Sequence, residues 1–236
     1  MKKGRLTGMV GICVMLTMAL ASCQPQAVDR DPVVVILGSD VDTLDPAHHA
    51  GAFIIVRDVF DTLLTKNEAG ELLPGMATEW SQADDTTWEF KIRQGIKAHN
   101  GEVLDANDVA YSLNRILDPE VEGRGHYRWL AGNYRLESAE AIDEKTVHLH
   151  TDGISGSPPE FLWTWPIVAQ EHYEATPLDV LAREPVGSGP YKFIAEEAQK
   201  GQQYVLEANE DYWAGAPEVK KIIFRIVPEM STRIAE

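Results

Sequence analysis

The placement of the two cysteines most constrains what this chain can fold into. Cys13 lies within an apolar run over residues 8–20, and Cys23 follows shortly after that run. Three cations precede the run, which is too short to cross a bilayer comfortably, so this start is typical of a secretory signal. Once a signal is removed, one thiol remains and no disulfide can form. The exported domain must then be stabilised by its core alone, which favours a large domain over a small disulfide-linked one.

The four residues Leu20-Ala21-Ser22-Cys23 resemble the lipobox of bacterial lipoproteins. The resemblance implies that residues 1–22 are a signal peptide and that Cys23, once lipidated, becomes the first mature residue. The protein is then expected in the periplasm or at the cell surface, anchored to a membrane by lipid. Residues 23–32 are polar with two prolines and are expected to form a flexible tether. The alternative is an accidental cysteine beside an ordinary signal.

The net charge excludes some classes of partner. The formal charge is −16, and the signal holds three cations without an acid, which leaves −19 for the remainder (−16 minus 3). No block of Lys or Arg collects the remaining positive charge into a patch. A nucleic-acid backbone or an anionic bilayer surface would repel such a chain. We therefore expect no nucleic-acid partner, and we expect membrane attachment to depend on the lipid.

Hydrophobic periodicity predicts a mixed α/β domain over residues 33–236. A continuous β-branched run at 33–37 is typical of a strand buried on both faces. From Phe53 to Leu64, apolar residues recur at helical spacing, which predicts an amphipathic helix. Alternation over 87–93 predicts a half-buried strand.

The second half of the chain continues the alternation of helix and strand. Asp105 precedes a helical stripe over 106–117, where its side chain can accept from the free amides of the first turn. The pattern at 135–150 predicts a β-hairpin in which His148 and His150 share one face. Further strands are predicted at 191–195, 204–208 and 221–227.

Seven stretches of the chain match, in order and spacing, the signature blocks of one family. They begin with a Thr-Leu-Asp-Pro turn and end with an Asn-Glu-Asp-Tyr-Trp block. The stretches are 43–46, 73–80, 88–97, 100–101, 107–115, 185–192 and 209–217. The chain resembles extracellular solute-binding protein family 5, which includes dipeptide-, oligopeptide- and nickel-binding proteins. It departs from the family pattern at Asn100, where an Asp is usual, and at Asp61, where a Glu is usual.

The resemblance implies an α/β, periplasmic-binding-protein-like fold with two lobes, of type II and similar to cluster C. Such a receptor closes on its ligand about a hinge. Residues 33–236 would supply a truncated first lobe with its smaller subdomain, and the second lobe would lie beyond Glu236. The implied function is the extracytoplasmic substrate-binding lipoprotein of an ABC importer, a monomer that delivers peptides or a similar small solute to the permease subunits. A receptor for a nickel chelate, haem or an oligosaccharide remains an alternative within the family.

Two segments are candidates for the ligand cleft. By resemblance, the stretch that follows the Leu-Asp-Pro turn reaches the cleft, and so does the glycine-flanked segment 123–132. Ligand pockets favour aromatic side chains, and an exposed loop would need a reason to carry two of them. Ordinary packing of that loop is the alternative. The candidate ligand-binding residues are His48, His49, Ala50, Gly51, Phe53, Tyr127 and Trp129.

The sequence gives weak support for catalysis or for a metal. The segment 153–157 nearly matches a nucleophile elbow but ends in Ser instead of Gly. His48 and His49 are adjacent, so in a strand they would point to opposite faces, while His148 and His150 need further ligands that the sequence does not place. We therefore predict no catalytic residue, no metal and no cofactor. A lipoprotein hydrolase and a purely structural envelope lipoprotein are the rival classes.

Overall fold

A computed structural model describes residues 32–48, 52–118, 121, 126–154 and 158–235. Within these ranges, no helix is long and apolar enough to cross a membrane. The strands are β1 (Val33–Leu37), β2 (Leu64–Lys66), β3 (Leu72–Pro74), β4 (Ala77–Asp84), β5 (Thr87–Ile92), β6 (Ile96–Lys97), β7 (Val103–Leu104), β8 (Leu136–Asp143), β9 (Thr146–Thr151), β10 (Tyr191–Phe193), β11 (Gln203–Ala208) and β12 (Lys221–Ile226). The α-helices are α1 (Phe53–Val59), α2 (Ala106–Leu117), α3 (His126–Asn133), α4 (Gln170–Ala175), α5 (Leu178–Leu181) and α6 (Met230–Ala235).

The first sheet has four strands in the order β1-β12-β11-β10. β1 runs parallel to β12, and the other two pairs are antiparallel. The predicted strand at 33–37 is confirmed, but its burial on both faces is wrong, because Val33 and Val34 are 43% and 44% exposed. β1 lies at the edge of the sheet, where a strand has a neighbour on one side only.

Helix α1 packs next to β10 and is shorter than its sequence pattern predicts. The pattern predicted a helix from Phe53 to Leu64, whereas the structure ends the helix at Val59 and places Phe60 in an extended conformation. Leu63 and Leu64 are buried in one core and the helix in another. The helix therefore ends, and the chain crosses from the second core to the first. Three residues of the helix are fully or almost fully buried: Ile55, Val56 and Val59.

The second sheet is antiparallel, in the order β4-β5-β9-β8, with α2 packed against β8 and β9. The predicted hairpin at 135–150 and the predicted strand at 87–93 are both confirmed. Asp105 caps α2, because its side chain accepts from the N–H of Asn107 at 2.7 Å while Asp108 Oδ2 accepts from the N–H of Asp105 at 2.8 Å. Such a capping box satisfies two amides that the helix start leaves free.

Two hydrophobic cores result. The large core lies around the second sheet and includes Phe90, Leu113 and Val147. The small core lies around the first sheet and includes Val56, Leu206 and Phe224. The segments before and after α1 run between these cores, and they position the residues of the candidate site.

Candidate functional site

A buried carboxylate fixes the turn that leads into α1. Asp45 is 0% exposed and accepts a hydrogen bond from the N–H of Ala47 at 3.0 Å. Its Oδ2 lies 2.9 Å from Nδ1 of His48. Arg115 of α2 donates to both carboxylate oxygens, at 2.9 Å and 2.6 Å. A bidentate arginine–carboxylate pair is strong and geometrically specific, so the turn at 45–48 is held in one orientation relative to α2.

Arg115 compensates the burial of that carboxylate. Burial alone would raise the pKa of Asp45, but the hydrogen bonds and the positive charge of Arg115 outweigh it and hold the pKa below its ordinary value. The guanidinium lies over the ring of Tyr173, with Cζ 5.1 Å from the ring centroid. Because α2 packs in the large core and Tyr173 in the small core, this ion pair links the two cores.

The exposed side of α1 carries an aromatic and cationic surface. Cζ of Arg57 lies 5.4 Å from the centroid of the Phe53 ring and 5.2 Å from that of Trp163. Nζ of Lys66 lies 5.0 Å from the same Trp163 ring. Attraction between cations and aromatic faces holds both charges near the indole. We call Phe53, Arg57, Lys66 and Trp163 the α1 surface.

A cavity of about 150 Å³ opens beside the α1 surface. Its lining combines two cations, a carboxylate and aromatic rings. The residues that define it include Arg57, Asp61, Thr65, Lys66, Trp163 and Tyr212. Aromatic walls with a few convergent polar groups are typical of small-molecule sites, but whole sites have volumes of about 300–1,000 Å³. The cavity is therefore large enough for one functional group of a ligand.

Asp61 is one of the lining residues of this cavity, and its carboxylate already accepts hydrogen bonds. It accepts from the hydroxyl of Tyr212 at 2.8 Å and from the indole N–H of Trp213 at 2.9 Å. Burial raises the pKa of Asp61, although these two hydrogen bonds act in the opposite direction. Each oxygen of this carboxylate thus has a donor. The charged groups of the lining that remain for a ligand atom are Arg57 and Lys66.

Residues 187–189, which we call the glycine loop, pack against the C-terminal end of α1. A Cβ atom on Gly187 would lie 2.1 Å from the carbonyl oxygen of Val59, so only glycine fits there. The N–H of Gly189 donates to that same oxygen at 2.9 Å. The backbone N–H of His99 donates to the Gly187 carbonyl at 2.7 Å, and its Nε2 lies 3.0 Å from the Gly189 carbonyl. The glycine loop thus supplies a backbone donor to the Val59 carbonyl at the end of the helix.

Comparison with protein-family models identifies the family of a part of the chain that contributes to this site. The model for bacterial extracellular solute-binding proteins, family 5 Middle, matches residues 71–236, which is more than half of the chain. The chain belongs to this family. The glycine loop, the capping box of α2 and the Tyr212-Trp213 pair all lie within the matched region.

Family 5 relatives are similar over most of this chain. The nickel-binding periplasmic protein of Escherichia coli (strain K12) is 25% identical over 92% of this chain and 41% of its own length. The periplasmic murein peptide-binding protein MppA of the same strain is 28% identical over 83% of this chain and 40% of its own. Di/tripeptide-binding protein 4 of Pseudomonas aeruginosa (strain UCBPP-PA14) is 26% identical over 93% and 45%. The chain thus spans roughly two fifths of the length of these curated relatives.

Solved structures of family 5 proteins confirm the fold class. The periplasmic binding protein DppA of Helicobacter pylori, in complex with the peptide STSA, has a TM-score of 0.76 at 25% identity, over 87% of this chain and 44% of that one. The unliganded open form of MppA gives the same TM-score at 22% identity, over 89% and 44%. The predicted α/β fold of the type II periplasmic binding proteins is confirmed, and this chain corresponds to part of it.

The structure places only some of the predicted ligand residues. His48 is bonded to Asp45, and Phe53 begins α1 beneath the guanidinium of Arg57. His49, Ala50 and Gly51 lie outside the described residues, and so does Cys23.

Tyr127 and Trp129 lie on helix α3 and not in a loop, which corrects the interpretation of segment 123–132. Tyr127 is 3% exposed, and its ring centroid lies 5.8 Å from that of Trp165 in the large core. Trp129 is 65% exposed. Residues two apart on a helix do not share a face, so the two aromatics have different environments. Their role at the cleft stays a prediction.

Sequence reasoning named Phe53 of the α1 surface but missed Arg57, Lys66 and Trp163. Trp163 lies about a hundred positions after Arg57, and no local pattern connects them. One signal was present: Arg57 lies among the polar positions of the amphipathic helix that the pattern predicts, and a long cation beside exposed aromatics is a common ligand contact. Nothing in the sequence, however, placed Trp163 next to that helix.

The histidines hold no metal site within the described residues, where no group of three or more potential ligands is suitably arranged. Nε2 of His148 lies 3.1 Å from Glu89, and Nε2 of His150 lies 3.9 Å from Glu140. These pairs lie on the polar face of the second sheet, so they are surface ion pairs when the imidazoles are protonated.

Proposed function

We propose that this chain supplies the first lobe of an extracytoplasmic solute-binding lipoprotein that delivers a peptide or similar small solute to an ABC importer. The observation that carries the proposal is the family match over residues 71–236. By name, the similar proteins bind nickel, murein peptide and di- or tripeptides, and one solved structure holds a peptide. Peptide ligands are the commonest among these relatives, so we favour a peptide.

The geometry of the α1 surface supports a binding role. Ligand sites combine aromatic walls with a few placed polar groups, and Phe53, Arg57 and Trp163 provide that combination. The surface lies directly after the turn that Asp45 and Arg115 hold. A site is most selective when rigid elements support it, and this turn and helix are fixed on both cores. We therefore place the ligand on the exposed side of α1 and on residues 48–53.

A thermal-shift screen of the complete protein tests this function. The panel contains dipeptides, oligopeptides, nickel chelates, haem and oligosaccharides. A ligand that binds the folded state raises the melting temperature by mass action, so a peptide at 100 times its Kd should stabilise by about 2.7 kcal/mol. If only another ligand class raised the melting temperature, that class would be the proposed ligand instead of a peptide. Turnover of a peptide during the assay would favour the hydrolase, and no shift with any class would contradict the receptor.

The lipid anchor has a separate test. We propose that Cys23 carries the lipid, since the lipobox resemblance leaves it as the first mature residue. In cells that express the complete protein, Cys23→Ala should move the protein from the membrane fraction to the soluble fraction and abolish palmitate labelling. Cys13→Ala is the matched control and should change neither property. An unlabelled wild-type protein would contradict the proposal.

A further inference from the structure

Arg57 and Lys66 lie over the same ring, that of Trp163, whereas Arg93 lies over the ring of Trp213. Arg115, Arg135 and Arg183 each form an ion pair with a carboxylate. Within the described part of the chain, Arg57 forms no ion pair and donates no hydrogen bond; its guanidinium lies near two aromatic rings and interacts with the charge of Asp58. Lys66 has one carboxylate nearby, Glu160, at 3.8 Å and about half exposed. Two cations thus converge on one indole with their donors largely free.

Stacking leaves the guanidinium ready for an anion. A guanidinium that packs against aromatic faces keeps its N–H groups at the edge, where they form a fork that matches a carboxylate. Lysine adds a compact charge with rotatable donors. Both side chains line the cavity of about 150 Å³, together with the hydroxyl-bearing Thr65. A carboxylate fits such a volume, since a water molecule occupies about 30 Å³ in the liquid.

The charge of the whole chain makes this location distinctive. Acidic side chains outnumber basic ones by 16, so most of the surface repels an anionic group. Asp61, the carboxylate in the cavity lining, already accepts from Tyr212 and Trp213. Asp58, the neighbour of Arg57 in the chain, is partly buried on the helix. The cavity therefore offers two cations against one bonded carboxylate.

We propose that Arg57 and Lys66 form an anion subsite that binds a carboxylate of the solute, with Trp163 as its wall. This inference rests on the proposed solute-binding function and narrows its substrate class to carboxylate-bearing solutes. For a peptide, the carboxylate is either the C-terminal group or an acidic side chain, and both present the same chemistry to the subsite.

Calorimetry on the complete protein with three probes tests the subsite. The probes are tri-alanine with a free C-terminus, the same peptide as the C-terminal amide, and the amide with a central glutamate. The free acid should bind at least about tenfold more tightly than the alanine amide, the usual effect of one charged hydrogen-bonded contact. Tight binding of the glutamate amide would assign the subsite to acidic side chains, and weak binding would assign it to the C-terminus.

Variants connect the preference to these residues. Arg57→Gln and Lys66→Gln should each reduce the preference for the acid, and the double variant should abolish it. Arg183→Gln, at another exposed arginine, is the matched control and should keep the full preference. Circular dichroism and melting temperature should show that each variant folds as the wild type does, since neither residue supports a core.

The results separate this inference from the proposed function. Equal affinity for acid and amide in the wild type, or a preference that persists in the double variant, overturns the subsite while the receptor stands. If no probe binds, the peptide class and the subsite fail together, and the thermal-shift screen then decides whether the receptor function survives.

Discussion

Replacing His99 by glutamine should reduce the loss of stability on acidification. Nε2 of His99 donates to the carbonyl of Gly189, and Nδ1 is a buried atom without a partner among the described residues. Protonation would add an N–H at Nδ1, where no described group accepts it. Burial lowers the pKa of His99 to about 4. The bond to Gly189 opposes this shift, and the charge of Lys192 adds to it.

The size of the effect follows from the two protonation states. The unfolded chain binds the proton near the ordinary pKa of 6.5, whereas the folded chain binds it only near about 4. Above pH 6.5, His99 therefore costs the fold no stability. As the pH falls from 6.5 toward 4, the unfolded state gains the proton and the free energy of unfolding decreases. At pH 5 the loss extends over roughly 1.5 pH units, which is about 2 kcal/mol at about 1.4 kcal/mol for each pH unit.

Asp58 acts with the opposite sign and provides a matched comparison. Burial raises its pKa from 3.8 to about 6, although the charge of Arg57 acts the other way. An acid with a raised pKa destabilises the fold at neutral pH, and that cost disappears as the pH falls from about 6 toward 3.8. The expected gain at pH 5 is about 1 kcal/mol. From these two groups together, the wild type should thus lose about 1 kcal/mol at pH 5 relative to pH 7.

Urea unfolding at pH 7 and pH 5 measures the difference for the wild type and both variants. His99→Gln keeps a donor for Gly189, and its stability at pH 5 relative to pH 7 should exceed that of the wild type by about 2 kcal/mol. Asp58→Asn should lose about 1 kcal/mol more than the wild type over the same interval. If His99→Gln and the wild type change equally within about 0.5 kcal/mol, the argument from the buried imidazole is refuted.

Three further predictions concern stability at neutral pH. Asp45→Ala should cost about 3–5 kcal/mol in urea unfolding, because it leaves a buried guanidinium uncompensated; a loss below about 1 kcal/mol would contradict the buried pair. Gly187→Ala should lower the melting temperature, whereas Gly132→Ala, where a Cβ meets nothing within 4 Å, should not; equal effects would contradict the close approach. Tyr127→Ala should destabilise by about 3–5 kcal/mol and Trp129→Ala by less than about 0.5, and the reverse order would mean that Tyr127 is not a core residue.

The sequence predicted well those elements whose determinants are close together. Asp105 and the stripe over 106–117 predicted α2 and its cap, because capping and helical periodicity act within one or two turns. The hairpin at 135–150 depended on a turn and on alternation, which are also local. The family blocks carried the fold class.

Structural features that depend on contacts between residues distant in the chain could not be predicted from the sequence. The apolar period of α1 continues to Leu64, yet the helix ends at Val59 because Leu63 and Leu64 enter the large core. In the same way, glycines around residues 123–132 predicted a loop, while burial of Tyr127 against Trp165 accompanies a helix there. Tertiary packing overrides local preference in both cases.

Two buried carboxylates hold the two ends of α1, the helix to which we assign a binding role. Asp45 precedes the helix and is fixed by Arg115, and Asp61 follows the helix and is fixed by Tyr212 and Trp213. Each is bonded by side chains that are distant in the chain, so neither end of the helix can shift without breaking charged or buried hydrogen bonds. The exposed side between them presents the guanidinium of Arg57 toward Trp163. Because rigid support of a ligand contact lowers the ordering cost of association, the proposed binding function gives these two carboxylates a part in affinity through the position of α1.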